Sequence, residues 1–322
     1  ASALRALALH LPEVFLEALE AARAIQGEFP RARVLSALAP HLPEALLPQA
    51  LEAARAIQPE ASRTHALSDL APHLPEALLS QALEAARAIQ SESDRASALS
   101  ALAPHLPEIF LEALEAARAI QSESDRASTL SDLAPHLPVA LLPQALEAAC
   151  AIQSESDRAN ALRDLALHFP EVFPEALEAA RATQAEYHGA RALSDLALHL
   201  PEVFPEALEA ARAIQAEYHR ASALSALAPH LPEALIPQAL EAARAIQAEY
   251  HRASAFSGLI VQLDLSQSLL WIEVLHSLAC HPRKAFVADL PKLSTAILAL
   301  GKEHQTLSLV VQALREVSRQ WK

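Results

Sequence analysis

Glycine occurs only four times in the 322 residues, methionine never, and cysteine and tryptophan twice each. With glycine confined to positions 27, 189, 258 and 301, neither a Gly-x-Gly-x-x-Gly fingerprint nor a phosphate-cradling P-loop can be built. Two isolated thiols, Cys150 and Cys280, make no disulfide framework, and the expectation from cysteine usage is a reducing, cytoplasmic setting. No apolar run approaches the length of a membrane span and no signal peptide opens the chain, so no membrane partner is expected. The four lysines (Lys284, Lys292, Lys302, Lys322) all lie near the C-terminus, and the net charge is −14. A chain without a uniform basic surface has little means of releasing counterions, which argues against a nucleic-acid partner.

What is present is a repeat. Pro12, Pro43, Pro75, Pro107, Pro138, Pro170, Pro201 and Pro232, each after Leu or Phe, mark a register of 31 or 32 residues. A fixed period of that size is the signature of a solenoid. Ala and Leu dominate, which favours helix, and no strand-like alternation appears. The fold class expected is therefore all-α: an α-solenoid of tandem two-helix repeats over residues 1–263, about eight and a half units, with a helical C-terminal cap over 264–322. The chain opens at Ala1 inside a repeat, so it reads as a fragment, and its uncapped N-terminal repeat offers a surface for self-association.

Within a unit, Arg95–Leu106 places Ala96, Leu99, Leu102 and Leu106 at helical spacing on one face. The preceding Ser-Glu-Ser-Asp supplies an N-cap hydroxyl and first-turn carboxylates. This is helix A, its last turn clipped in several units by a proline (Pro40, Pro72, Pro104, Pro135, Pro229). From Ile-Gln to the next Leu-Pro the distance is constant, as Gln26 to Pro43 and Gln58 to Pro75 show; the one-residue length variation falls after Leu-Pro. An extra residue inside a helix would turn everything beyond it by about 100°, so the variation belongs in a turn or an irregular first turn. Two readings of helix B follow. Either it starts at Pro48, Pro143, Pro174, Pro205 and Pro237, or a single helix from the earlier Leu-Pro is kinked there. In one copy Leu146, Ala149 and Ile152 would point inward. After Gln247 one more A helix, 250–263, is followed by Asp264 where proline is due. A more hydrophobic segment containing Trp271 comes next, then helices begun by Pro282 and Pro291.

Stacking turns each repeated residue into a row. The histidines (His10, His41, His73, His105, His136, His168, His199, His230) would stand roughly 9–10 Å apart by helix-layer spacing, too far to share a metal ion. Capping of helix-end carbonyls is the expected role. The Glu-Ala-Ala-Arg of helix B brings Arg23, Arg55, Arg87, Arg118, Arg181, Arg212 and Arg244 three residues after a glutamate. These either stabilise their own helix or present a charged stripe for a ligand on the helix-B face, where solenoids bind. The arginines opening helix A, with Gly189 as the exception, are expected near carboxylates of neighbouring repeats. Tyr187/His188, Tyr218/His219 and Tyr250/His251 replace Ser-Asp in the last three copies; they form a recognition strip or act as hydrophobic staples ahead of helix A. Histidines and carboxylates repeat everywhere, whereas an active site needs one unique converging set. No enzyme, cofactor or metal is expected.

The unit Ser-Asp-Arg-Ala-Ser-Ala-Leu-Ser-Ala-Leu-Ala-Pro-His-Leu-Pro (93–107), followed by Leu-Glu-Ala-Ala-Arg-Ala-Ile, resembles helical (HEAT/TPR-like) repeats of bacterial, especially cyanobacterial, STAND signalling NTPases. The tail from Trp271 to Trp321 looks like the C-terminal ends of the same proteins. The resemblance implies a sensor or scaffold region joined to an NACHT or NB-ARC ATPase; the ATPase motifs themselves have no match here. The functional expectation is a non-catalytic protein- or peptide-binding scaffold, the sensor fragment of a larger signalling protein. The alternatives are a structural spacer or consensus-like repeat array with no ligand of its own and, third, a nucleic-acid-binding solenoid.

Overall fold

The computed structural model describes residues 14–259, which form sixteen α-helices and contain no strand. The expected cap at 264–322 and the N-terminal repeat face, with His10, lie outside them. The fold is an all-α helical-repeat solenoid, and it falls into two compact units that divide between Val172 and Phe173.

In the first unit the B helices are α1 (Val14–Ala24), α3 (Leu47–Arg55), α5 (Glu76–Arg87), α7 (Phe110–Ala119) and α9 (Leu142–Cys150). They alternate with the A helices α2 (Glu28–Leu38), α4 (Glu60–Leu70), α6 (Glu92–Leu102), α8 (Glu123–Leu133) and α10 (Glu155–His168). In the second unit α11 (Phe173–Ala182), α13 (Phe204–Ala213) and α15 (Ile236–Arg244) are B helices; α12 (Glu186–Ala197), α14 (Glu217–Leu227) and α16 (Glu249–Leu259) are A helices. Within each unit consecutive A helices pack along one another, and each B helix packs chiefly on its flanking A helices. The core of each layer comes from A-helix residues such as Ala96, Leu99 and Leu102 and from the Ile57, Ile89 and Ile152 row, the last three wholly buried. Leu146, expected inward, is only half-buried, while Ala149 is wholly buried. The abundance of alanine keeps side chains short where helices meet and costs least in helix propensity.

Both readings of the helix-B start contribute to the observed one. Where proline follows, as at Pro48 and Pro143, a 3-10 turn (Glu44–Leu46, Val139–Leu141) precedes an α-helix whose second residue is that proline. Where Ser80 replaces it, the turn and helix fuse into one twelve-residue α-helix, Glu76–Arg87. A proline ring clashes with the carbonyl four residues back and brings no N–H, which keeps the first turn tight where proline is present; the unit of α7 keeps its 3-10 turn, Pro107–Ile109, with Leu111 at that place. The C-terminal end of helix A behaves alike. Pro40, Pro72, Pro104, Pro135 and Pro229 each sit in a 3-10 turn, whereas α10, with Leu167 at that place, continues as α-helix to His168. Ser91, Ser122 and Ser154 cap α6, α8 and α10 by accepting the N–H of Asp94, Asp125 and Asp157 at 3.4 Å.

Candidate functional site

Four sets of polar residues repeat along the chain, and three of them hold helices and repeats together. The glutamate that begins the A helix reaches forward one repeat in five units. Glu60 accepts the backbone N–H groups of Gln90 (2.9 Å) and Ser91 (2.7 Å). Glu123 does the same for Gln153 and Ser154, Glu217 for Gln247 and Ala248, and Glu28 and Glu186 each take one such N–H. Those amides open the next A helix, where N–H groups have no intrahelical partner and the helix dipole favours an anion. The bonds from these amides hold the carboxyls of Glu60, Glu123 and Glu217 below the usual range, with nearby cations adding to the effect: Arg63 and Arg95 beside Glu60, and Arg126 and Arg158 beside Glu123.

In six units the arginine three residues after the first-turn glutamate turns back, not forward. Arg31 donates to the carbonyl of Ile25 (2.8 and 3.0 Å), Arg63 to Ile57, Arg95 to Ile89, Arg126 to Ile120, Arg158 to Ile152 and Arg252 to Ile246. It thereby ties the start of helix A to the end of its own B helix. Bridging between repeats, expected of this arginine, is done instead by its neighbour glutamate. Gly189 stands in the arginine position of α12, and a Cβ there would meet the Ala180 carbonyl at 3.0 Å.

The helix-B arginines mostly pair across repeats, in two registers. Arg87 makes a two-point contact with Glu112 (2.7 and 2.6 Å), and Arg181 repeats it with Glu206 (2.7 and 2.8 Å). These carboxylates belong to units with the shorter turn. Units with the longer turn carry glutamine there (Gln49, Gln144), and the arginine reaches one helical turn further, Arg23 to Glu52 at 3.9 Å and Arg118 to Glu147 at 3.3 Å. Arg212 adopts the expected pairing within its own helix, with Glu209 at 2.8 Å. The hydrogen bonds lower the pKa of Glu112 and Glu206 and raise that of Arg87 and Arg181. Arg55 makes no ion pair among the described residues, and Arg244 occupies the same register in α15. Cys150, which replaces the arginine in α9, is exposed.

The histidine row does not cap carbonyls. Among the described residues, no hydrogen bond is made by the side chains of His41, His73, His105, His136, His168, His199 or His230, and all but the half-buried His41 are exposed. In the proline-bearing units the 3-10 turn already uses the carbonyl: Leu42 and Leu74 donate to Ala39 and Ala71 at 3.4 and 3.3 Å. No group of three or more metal-ligating side chains converges among the described residues.

What remains is the outer face of the A helices. Here copies that are otherwise near-identical differ: Arg33, His65, Ser97, Ser128 and Asn160 share one helix position in the first unit, and Arg191, Ser222 and Ser254 in the second. Successive A helices leave a groove along this face. Between α2 and α4 it encloses about 440 Å³ and is lined by Arg33, His65, Asp69, Ser36 and Ser68, with Pro40, Pro72 and His73 at its end. His65 approaches Asp69 at 3.6 Å, and the Ser36 and Ser68 hydroxyls are buried without a partner. Further along the first unit Asp132, exposed at its outer edge, has its pKa raised by the matter packed around it and by the charge of Asp164.

In the second unit the Tyr-His pairs assemble as a ladder on the outer face of its A helices. Tyr187 lies 4.6 Å from His219 of the next repeat, and Tyr218 lies 5.6 Å from His251; within each pair the rings meet edge to face at 5.2 to 5.6 Å. The three pairs are not equivalent, and His188 is the exception. His219 and His251 each bridge two tyrosines, whereas the exposed His188 stacks only on its own Tyr187, at 5.6 Å. These tyrosines are the second residues of α12, α14 and α16, not residues ahead of them, so they are not staples: the position of a staple lies outside the helix. Phe29, 63% exposed, holds the same position in α2. Sequence reasoning missed it, as it missed Arg33, His65 and Asp69. The signal for all four was the comparison of copies in register, which singles out the positions that vary.

No protein-family model matches the chain, and no curated protein matches it. A crystal structure, that of Ton1535 from Thermococcus onnurineus NA1, is similar over 90% of this chain and 98% of its own, at 18% sequence identity and a TM-score of 0.34. That likeness is too loose to bear on function. No helix among the described residues is long and apolar enough to cross a membrane.

Proposed function

We propose that the chain is a non-catalytic scaffold that binds extended protein segments across the outer face of its A helices. The observation that carries this reading is the division of labour between positions. Repeated charges are engaged with one another or with backbone, as with Arg87–Glu112 and Glu123–Ser154, while in each unit variation collects on a grooved face of the A helices. A surface that differs from repeat to repeat can read a partner in steps, which is how a stacked array gains specificity. The helix-B arginines named from the sequence are less available, because Arg23, Arg87, Arg118, Arg181 and Arg212 already face carboxylates. In a larger signalling protein such a surface would serve as the sensor, in line with the resemblance to STAND repeats.

The test is selection of a random peptide display library on the full chain. Retained peptides should lose binding to a His65→Ala, Asp69→Ala or Tyr218→Ala, Tyr250→Ala variant and keep it with Arg55→Glu. Peptides sensitive to Arg55→Glu alone would move the site to the helix-B face. The spacer reading is favoured by the density of inter-repeat bonds, and a selection that yields no specific peptide would leave it standing alone.

A further inference from the structure

We propose that the Tyr-His ladder of the second unit binds an arginine-bearing segment in polyproline II conformation, with guanidinium groups seated in the grooves between successive A helices. The inference deepens the peptide-binding reading above and rests on it. Its first support is the shape of the slot between α14 and α16. It encloses about 380 Å³, its walls are Tyr218 on one side and Tyr250 with His251 on the other, and Ser222, Ser225 and Ser254 line it with alanines. Tyr218 is held upright by edge-to-face contacts, at 61° with His219 and 67° with His251, and stays 62% exposed. An exposed tyrosine ring offers the negative face of its quadrupole to a cation entering the slot. Serine hydroxyls beside it accept hydrogen bonds.

The second support is charge. Residues 173–259 carry eleven carboxylates against six arginines. The arginines on the slot's own helices are turned elsewhere: Arg220 lies 3.5 Å from Glu217, and Arg252 donates to the Ile246 carbonyl at 3.0 Å. An acidic unit with an aromatic slot complements a cation. Arginine suits it better than lysine, because a planar, weakly hydrated guanidinium stacks on a ring and keeps its in-plane donors for the hydroxyls.

The third support is spacing. The ladder steps from Tyr187 through His219 to Tyr218 by 4.6 and 5.2 Å and from Tyr218 through His251 to Tyr250 by 5.6 and 5.5 Å, so adjacent tyrosine rings are at most about 10 and 11 Å apart, in keeping with the interval of packed helices. Polyproline II advances about 3.1 Å per residue with three residues per turn. Every third side chain therefore falls on one face at about 9.3 Å, one per groove.

Fluorescence anisotropy of a labelled (Arg-Pro-Pro)4 peptide, titrated with the full chain, tests this. Binding should weaken at least tenfold with Tyr218→Ala, Tyr250→Ala and survive Tyr218→Phe, Tyr250→Phe, which keeps the rings. It should weaken similarly when glutamine replaces arginine, or when arginine is placed at every second residue instead of every third. Equal affinity for the glutamine peptide, for the re-spaced peptide or for the alanine variant would overturn the proposal. If library-selected peptides need the A-helix face while (Arg-Pro-Pro)4 does not bind, this inference fails and the broader reading survives. If no peptide needs that face, both fail.

Discussion

Replacing Glu112 by glutamine converts the helix-B register of a short-turn unit into that of a long-turn one, and its consequences follow from the geometry. In the native chain Arg87 holds Glu112 at two points, 2.7 and 2.6 Å, with about half of the arginine and a third of the glutamate side chain exposed. Two-point geometry places the pair at the upper end for exposed ion pairs, about 1 kcal/mol after solvent screening. The substituted amide retains one acceptor, and Arg87 can turn to Glu115, which occupies the place of Glu52 and Glu147 in their units. The net loss should therefore be about 0.5–1 kcal/mol. For a cooperative unit of this size that lowers the unfolding temperature by roughly 1–4 °C. A double-mutant cycle with Arg87→Ala and Glu112→Gln, read by urea unfolding, should give a coupling of the same size that shrinks as salt is raised. A coupling indistinguishable from zero, or one that 1 M salt (a Debye length of about 3 Å) leaves unchanged, would refute the two-register account.

Acid should act through the forward-reaching glutamates. Their folded pKa lies below the unfolded value, so their contribution is full above about pH 4.3 and is lost as pH falls through the lowered folded pKa. A Glu60→Gln, Glu123→Gln variant should have a lower urea midpoint than the native chain at pH 7, and the gap should close as pH drops below about 4; a gap independent of pH would contradict the assignment. Gly258→Ala should destabilise by about 1–3 kcal/mol, since a Cβ there would stand 2.8 Å from the Ser225 Cα and carbonyl oxygen; an unchanged or raised urea midpoint would show that the helices can part at no cost. Ser80→Pro should convert the start of α5 into the 3-10 turn its sister units have, lowering helical ellipticity slightly without unfolding the unit, and loss of the folded state would show that the turn is not interchangeable.

The repeat, its two helices and the elastic point before helix B could be read from the chain because proline and the Ile-Gln to Leu-Pro interval are local signals. The fusion at Ser80 follows from the same chemistry. Inter-repeat bonding was harder to read. Glu60 carries the appearance of an ordinary first-turn carboxylate, and its partners are backbone amides thirty residues on, which no side-chain pattern announces. Glu-Ala-Ala-Arg spacing suggests a pair within one helix, yet an arginine in the last turn of helix B can reach the next layer, and Arg87 does so. Histidine capping was expected from position alone; the 3-10 turn had already satisfied the carbonyls. The Tyr-His pairs were visible as departures from the repeat, but that Tyr187 meets His219 depended on helix A starting one residue before the tyrosine. That direction of stacking, each tyrosine toward the histidine of the next repeat, is also why His188 stands at the end of the ladder with one ring neighbour.

The division between a bonded framework and a reading face is tested most directly by site-specific photo-crosslinking to a library-selected peptide. A photoreactive residue placed in turn at Ser97 and Ser222 on the A helices, and at Glu84 and Arg55 on the B helices, reports which face the bound peptide touches. Crosslinks from Ser97 or Ser222 with none from Glu84 or Arg55 are the predicted result. Crosslinks confined to Glu84 and Arg55 would contradict it.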